Sequence, residues 1–170
     1  DVYKRQLLYY ALSNLMSAGI KEVLFISRKQ DMQIFKKLFG TGSQLGMRLK
    51  YTFQTKPKGI PDAINVANKF IANQPFVLAL ADNLFIGESF QKTLKQVQSI
   101  KSGAVVLAVK TKYPSKSAVI DLGKKGKIKS IIEKPKKPKS NLTIPGLYFY
   151  DSESKTVVRK LKPSKRGELE

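Results

Sequence analysis

The 170-residue chain contains no cysteine and no histidine. Without thiols, disulfides and thiolate metal sites are excluded, and the cysteine-based zinc motifs go with them. Without imidazole, every Ser-His or Cys-His nucleophilic scheme is excluded as well. No apolar run approaches the length of a membrane-spanning helix, and no signal-peptide pattern is present, so the expectation is a cytoplasmic protein with no membrane partner. Acidic residues are also scarce: 12 Asp plus Glu stand against 32 Lys plus Arg, for a net charge of +20.

That charge does not name a function. The excess is almost all lysine, with arginine only at Arg5, Arg28, Arg48, Arg159 and Arg166. Bidentate readers of bases and phosphates favour arginine. The one dense basic tract, "GKKGKIKSIIEKPKKPKS", reads as a turn, a strand and a proline-punctuated loop, not a basic helix. A solvated lysine surface is the first reading and no nucleic-acid partner is expected. Polyanion binding and attraction of a small phosphorylated substrate stay open beside it.

A chain of this length has the size of one domain, and a hydrophobic fraction of 42% is that of a globular protein. Residues 6–18, "QLLYYALSNLMSA", predict a largely buried helix closed by Gly19. "EVLFIS" predicts a short buried strand. "QDMQIFKKLF" is amphipathic, with Met32, Phe35, Leu38 and Phe39 on one face. "MRLKYTFQ" alternates Met47, Leu49, Tyr51 and Phe53 on one side, as a strand does. A helix follows from Ile60 to Ile71, with Pro61 in its first turn. "FVLALA" predicts a strand covered on both faces. Downstream come a helix over 89–100, a strand over 104–109, a hairpin "SAVIDL-GKKG-KIKSIIEK", a strand-like "NLTIPGLYFYD" and a final helix "SKTVVRKLK". The expected fold is α/β: a Rossmann-like, mostly parallel sheet with helices on both faces and a small antiparallel insertion.

The strand at 76–81 ends on Asp82 and Asn83. A turn or cap is the plain explanation, since both side chains bond their own backbone. A ligand site is the other, because open α/β sheets bind at the carboxyl ends of their strands.

Several stretches now carry a resemblance. "TFQTKPKGIPDAI", "LALADNLFIG", "LLYYALSNLMSAGIKEVLFIS", "GSQLGMRLKY", "IIEKPKKPKSN", "GLYFYD" and "LKPSKRGELE" together resemble the sugar-nucleotidyltransferases, and within them the thymidylyl branch. The likeness runs through nearly the whole chain. It implies that Gln54 reads the nucleotide base, with Gly59 letting the backbone come close; an amide pairs at once with a pyrimidine's donor and acceptor. It implies Mg²⁺ as cofactor, bound by Asp82, a hard oxygen ligand. The Glu-Lys-Pro match implies Glu133 on sugar hydroxyls and Lys134 on the sugar phosphate, and Ile144 and Tyr148 would line the sugar pocket. Arg166 is implied as a second cation on phosphate, making Lys134 and Arg166 the catalytic candidates.

The departures qualify this. The family's Gly-rich triphosphate loop would precede residue 1, and its second metal-binding Asp would follow Glu170. The expectation is therefore a single incomplete nucleotidyltransferase domain over 1–170, an internal slice lacking its first strand and its C-terminal part. Residues 1–6, "DVYKRQ", fit the family poorly. Ser117 and Ala118 stand where the family has Tyr-Gly, Ala81 where it has Gly, and Ile132 where it has Glu.

The implied reaction joins a nucleoside triphosphate, dTTP favoured, to a sugar 1-phosphate, glucose 1-phosphate favoured, with release of pyrophosphate. A homo-oligomer is implied for the full-length protein. The rivals are a uridylyl- or guanylyltransferase for another sugar, a non-catalytic module of the same fold, and a basic polyanion-binding domain.

Overall fold

The computed structural model describes residues 2–56, 58–86, 90, 92–94, 102–164 and 167–169, with backbone alone for 2–5. Most of the helix expected over 89–100 therefore lies outside the described residues, as does Arg166.

Helix α1 (Val2–Ser17) buries Leu8 and Leu12 and ends where the Gly19 N–H turns back to the Met16 carbonyl at 2.8 Å. Strand β1 (Glu22–Arg28) follows, then α2 (Met32–Phe39) and β2 (Arg48–Gln54). β1 and β2 pair in parallel, in continuous register from Glu22 opposite Arg48 to Arg28 opposite Gln54. Alternate residues of β1 enter different cores. Val23 and Phe25 pack with Leu8, Leu12, Phe39, Met47 and Leu49; Leu24 and Ile26 pack with Ile64, Ala67, Ile71 and Val158. That period of two, apolar on both sides, is what a strand between two helical layers requires. Phe39, fully buried, anchors the first core through stacked contact with Phe25 at 5.4 Å between ring centres.

The helix expected from Ile60 to Ile71 breaks at Ala67 into α3 (Ile60–Val66) and α4 (Asn68–Ile71). Strand β3 (Phe76–Ala79) divides its side chains as β1 does: Phe76 and Leu78 join the core under α3 and α4, Val77 and Ala79 join the core around Phe90 and Leu94. The expected strand over 104–109 is in fact two. β4 (Ala104–Val106) and β5 (Val109–Lys110) belong to different sheets, the chain crossing between them at Leu107 and Ala108. The hairpin β6 (Ala118–Leu122) and β7 (Ile128–Glu133) forms as expected, with an irregularity at Asp121 and Leu122. "NLTIPGLYFYD" also divides, into β8 (Leu142–Thr143) and β9 (Leu147–Tyr150) around Pro145 and Gly146. A short α5 (Ser154–Val158) returns Val158 to the core beneath α3 and α4.

The pairing departs from a mostly parallel sheet. Among the described residues only β1 and β2 are parallel neighbours. β3 and β4 flank β9 and run antiparallel to it, so they point the same way without touching. β5, β8, β6 and β7 form a four-stranded antiparallel sheet. The reason lies in β9, which enters between β3 and β4 from the antiparallel unit and takes the edge of each. The fold is α/β, with three sheets among the described residues.

Candidate active site

Gln54 is the last residue of β2, and the chain then turns through Gly59 into α3. Its side-chain Nε2 donates to Asp62 Oδ2 at 2.8 Å, in the first turn of α3. Gly59 has φ +91, and a Cβ there would run into the carbonyl of Leu169. The Leu169 N–H donates to the Lys58 carbonyl at 2.9 Å, so Leu169 is stitched to the loop beside Gln54. In this structure the missing side chain at Gly59 is therefore filled by protein backbone.

The sugar-phosphate candidates converge on a second region. Glu133 closes β7 directly opposite Ala118. The Lys134 N–H donates to the Ser117 carbonyl at 3.2 Å, and the Ile144 N–H donates to the next carbonyl, that of Ala118, at 3.0 Å. Two consecutive carbonyls thus hold Lys134 and Ile144 on either side of β6. Lys134 Nζ lies 3.8 Å from Glu133 Oε1. Lys134 has φ +42 although it is not glycine and precedes Pro135, which biases its neighbour toward extended backbone. Such strain persists only where the surroundings over-determine it, and it concentrates at ligand sites. Tyr148, on β9, is drawn into the same group: burial, and then the charge of Glu133, push its hydroxyl pKa up. Ile144 itself is buried, with only 7% exposure, so its side chain packs rather than presents to solvent.

Asp82 stands exposed just past β3, and Oδ1 accepts the Asn83 Nδ2–H at 2.8 Å. The turn is held from below by Gly146, whose carbonyl accepts the Leu80 N–H at 2.8 Å. Among the described residues no cluster of three acidic, histidine or cysteine side chains gathers. A lone strand-tip carboxylate is still a donor set that magnesium accepts, because that ion keeps waters and takes its remaining ligands from substrate phosphates.

The structure does not bring the base and sugar-phosphate candidates into one cavity: Gln54 and Gly59 line a cavity of about 1140 Å³, whose lining does not include Asp82, Glu133, Lys134, Ile144 or Tyr148. At one end it is lined by Gln54, Gly59, Ala81 and Glu168, and along its length by both β1 and β3. Leu8, Leu12 and Leu15 of α1 close one side, Ile64 and Ile71 the other. Sequence reasoning did not find Asp62, Asn83 or the Ser117 carbonyl as parts of the site. Asn83 had a signal, its place beside Asp82. Asp62 had none, being eight residues from Gln54 and brought back only by the loop.

A family model for nucleotidyl transferases matches residues 1–170. The chain belongs to the nucleotidyl transferase family. It is 42% identical over 169 residues to a glucose-1-phosphate thymidylyltransferase of Neisseria meningitidis, covering 99% of this chain and 59% of that protein. A Mycolicibacterium smegmatis enzyme of the same name is 40% identical, with 99% and 58% covered. Among solved structures, a Bacillus anthracis protein provisionally named glucose-1-phosphate thymidylyltransferase, in complex with sucrose, superposes with a TM-score of 0.87 at 33% identity, over 96% of this chain and 66% of that one. A UDP-glucose pyrophosphorylase complexed with UDP-glucose shares the fold, with a TM-score of 0.78 at 23% identity. The chain spans about three-fifths of the length of the Neisseria and Mycolicibacterium relatives.

Proposed function

We propose that the protein containing this chain is a nucleotidyltransferase that joins dTTP to glucose 1-phosphate, giving dTDP-glucose and pyrophosphate. The observation that carries this reading is the gathering of Glu133, Lys134 and Ile144 around the Ser117 and Ala118 carbonyls, with Tyr148 close to Glu133, in a chain 42% identical to a thymidylyltransferase.

In the reaction, an oxygen of the sugar phosphate forms a bond to the α-phosphorus while the bond from that phosphorus to the bridging oxygen of pyrophosphate breaks. The attacking group is already anionic, so no protein nucleophile is needed. The residues position and neutralise. Lys134 meets the sugar phosphate and Glu133 the sugar hydroxyls. Gln54 reads the base, and Gly59 leaves the room that the Leu169 carbonyl occupies. Arg166, outside the described residues, is a further phosphate partner. Asp82 would hold Mg²⁺, which supplies charge neutralisation along the triphosphate when bound.

The domain is incomplete in this reading, and the cavity supports it. The inner edges of β1 and β3 face one space, the same helices α3 and α4 pack on alternate residues of both strands, and α1 covers the other side. One extended strand, parallel to β1 and leading into α1, fits there as the first half of a right-handed βαβ unit. The sheet would then run β2, β1, inserted strand, β3, β9, β4, Rossmann-like and parallel except for β9. The family's phosphate loop would follow that strand, at the end lined by Gln54 and Ala81.

A uridylyltransferase is the second reading, because the amide of Gln54 meets an edge that uracil and thymine share. The test is pyrophosphate release by the full-length protein with glucose 1-phosphate and each of dTTP, UTP, CTP and GTP. A clear preference for dTTP is expected; release with UTP alone selects the second reading, and release with none overturns both.

A further inference from the structure

The hydrogen bond from Gln54 to Asp62 does something the base-reading proposal does not itself require. We infer that Asp62 is a positioning residue that sets which way the Gln54 amide faces, and so makes the site selective for a thymine or uracil edge over a cytosine edge. The inference rests on Gln54 being the base reader.

The argument is one of hydrogen-bond inventory. The Gln54 amide has two N–H donors on Nε2 and an acceptor on Oε1. A carboxylate at neutral pH only accepts, so it can pair with Nε2 and not with Oε1. With Nε2 on Asp62 Oδ2 at 2.8 Å, a flip of the amide would set Oε1 against a carboxylate oxygen, two acceptors face to face. The bond is half-buried, where water substitutes poorly for the lost partner. The amide is thereby held in one orientation. One Nε2 hydrogen goes to Asp62, and the other, with Oε1, makes a donor–acceptor fork.

That fork has a sense. Thymine and uracil offer an acceptor at O4 beside a donor at N3. Cytosine offers a donor at N4 beside an acceptor at N3, the same two positions with roles exchanged. A freely flipping glutamine pairs with either edge by turning over. A glutamine pinned by a carboxylate cannot, and a site whose buried polar groups go unpaired rejects the wrong partner strongly. Asp62 is well placed to act as a fixed point because it sits on α3, whose start is set by Gly59 and by Pro61 in the first turn, and whose Ile64 is buried in the core.

The experiment measures dissociation constants for dTTP and CTP by calorimetry in the full-length protein, for the parent, Asp62→Ala, Asp62→Asn, Gln54→Ala and the double variant Gln54→Ala/Asp62→Ala, with thermal melts alongside. Asp62→Ala should narrow the dTTP-over-CTP preference by about tenfold or more, equivalent to ~1.4 kcal/mol. Asp62→Asn, nearly isosteric and able to accept or donate, should also narrow it, because it holds the amide either way round, and its melting temperature should stay at the parental value. In the Gln54→Ala background the Asp62 substitution should leave the preference unchanged. A parental preference in both Asp62 variants, or an equal loss with Gln54 already removed, overturns the role of Asp62. If instead Gln54→Ala itself leaves the preference intact, the base-reading proposal fails, and the inference with it.

Discussion

The backbone carbonyl of Leu169 occupies the space that a side chain on Gly59 would need. The contact ties the loop after Gln54 to the segment near Glu168, which also lines the cavity. Gly59→Ala should therefore cost twice. The residue's φ of +91 is unfavourable for any L side chain, by about 1–2 kcal/mol, and the new methyl must displace Leu169. The expected result is a lower melting temperature together with faster amide exchange at Leu169, whose N–H bonds Lys58. An unchanged exchange rate would mean that the two segments are not coupled.

Gly146 makes a similar close approach beside Asp82 and Asn83. A Cβ there would come within 2.7 Å of Asn83 Nδ2 and 2.8 Å of Leu80 Cδ1. Gly146→Ala should push Asn83 off Asp82, raising the Mg²⁺ concentration needed for half-maximal pyrophosphate release by the full-length protein. Its control is Gly103→Ala: Gly103 also has a positive φ, but its Cβ would meet nothing within 4 Å. Equal behaviour of the two variants would leave only backbone strain.

Asp82→Asn should abolish most turnover while preserving the fold. Asparagine is nearly the same size and still serves a turn, but it lacks the negative charge with which Asp82 would hold a metal ion. Loss is expected in kcat, with little change in a metal-free melt. Parental turnover would return Asp82 to a turn residue.

Tyr150 stacks on Phe76 and lies parallel to Tyr148, and burial, with the Tyr148 charge second, pushes its hydroxyl pKa up to about 12 from 10.0. A pKa raised on folding means that the native state holds its proton longer than the unfolded chain does. The stabilisation is full below the unfolded value and is lost as pH rises from about 10 through about 12. Melting temperatures followed over that range should fall less steeply for Tyr150→Phe than for the parent. Parallel curves would show that Tyr150 does not contribute.

Hydrogen exchange tests the inserted strand. In the 170-residue chain, the amides of β1 and β3 that face the cavity should exchange rapidly. They should become strongly protected in the full-length protein. Protection that is already complete in the shorter chain would exclude a strand from that space.

The sequence by itself determined where most elements lie, though not that 60–71, 104–109 and 141–151 each divide. The apolar runs at 22–27 and 76–81 and the spacing of Met32, Phe35 and Phe39 are local patterns, because strand and helix periods are properties of consecutive residues. The ordered motifs, from "QTKPKG" to "EKPKKP", also made the family and the candidates Gln54, Asp82, Glu133 and Lys134 legible. Tertiary structure alone decided which strands pair. β9 lies antiparallel between β3 and β4, and 104–109 splits between two sheets, since pairing depends on residues far apart in the chain. It alone also brought Asp62 onto Gln54, Leu169 onto Gly59 and Ser117 onto Lys134. Each of those contacts joins a polar or backbone group to a partner chosen by where a loop returns, and no local period records that.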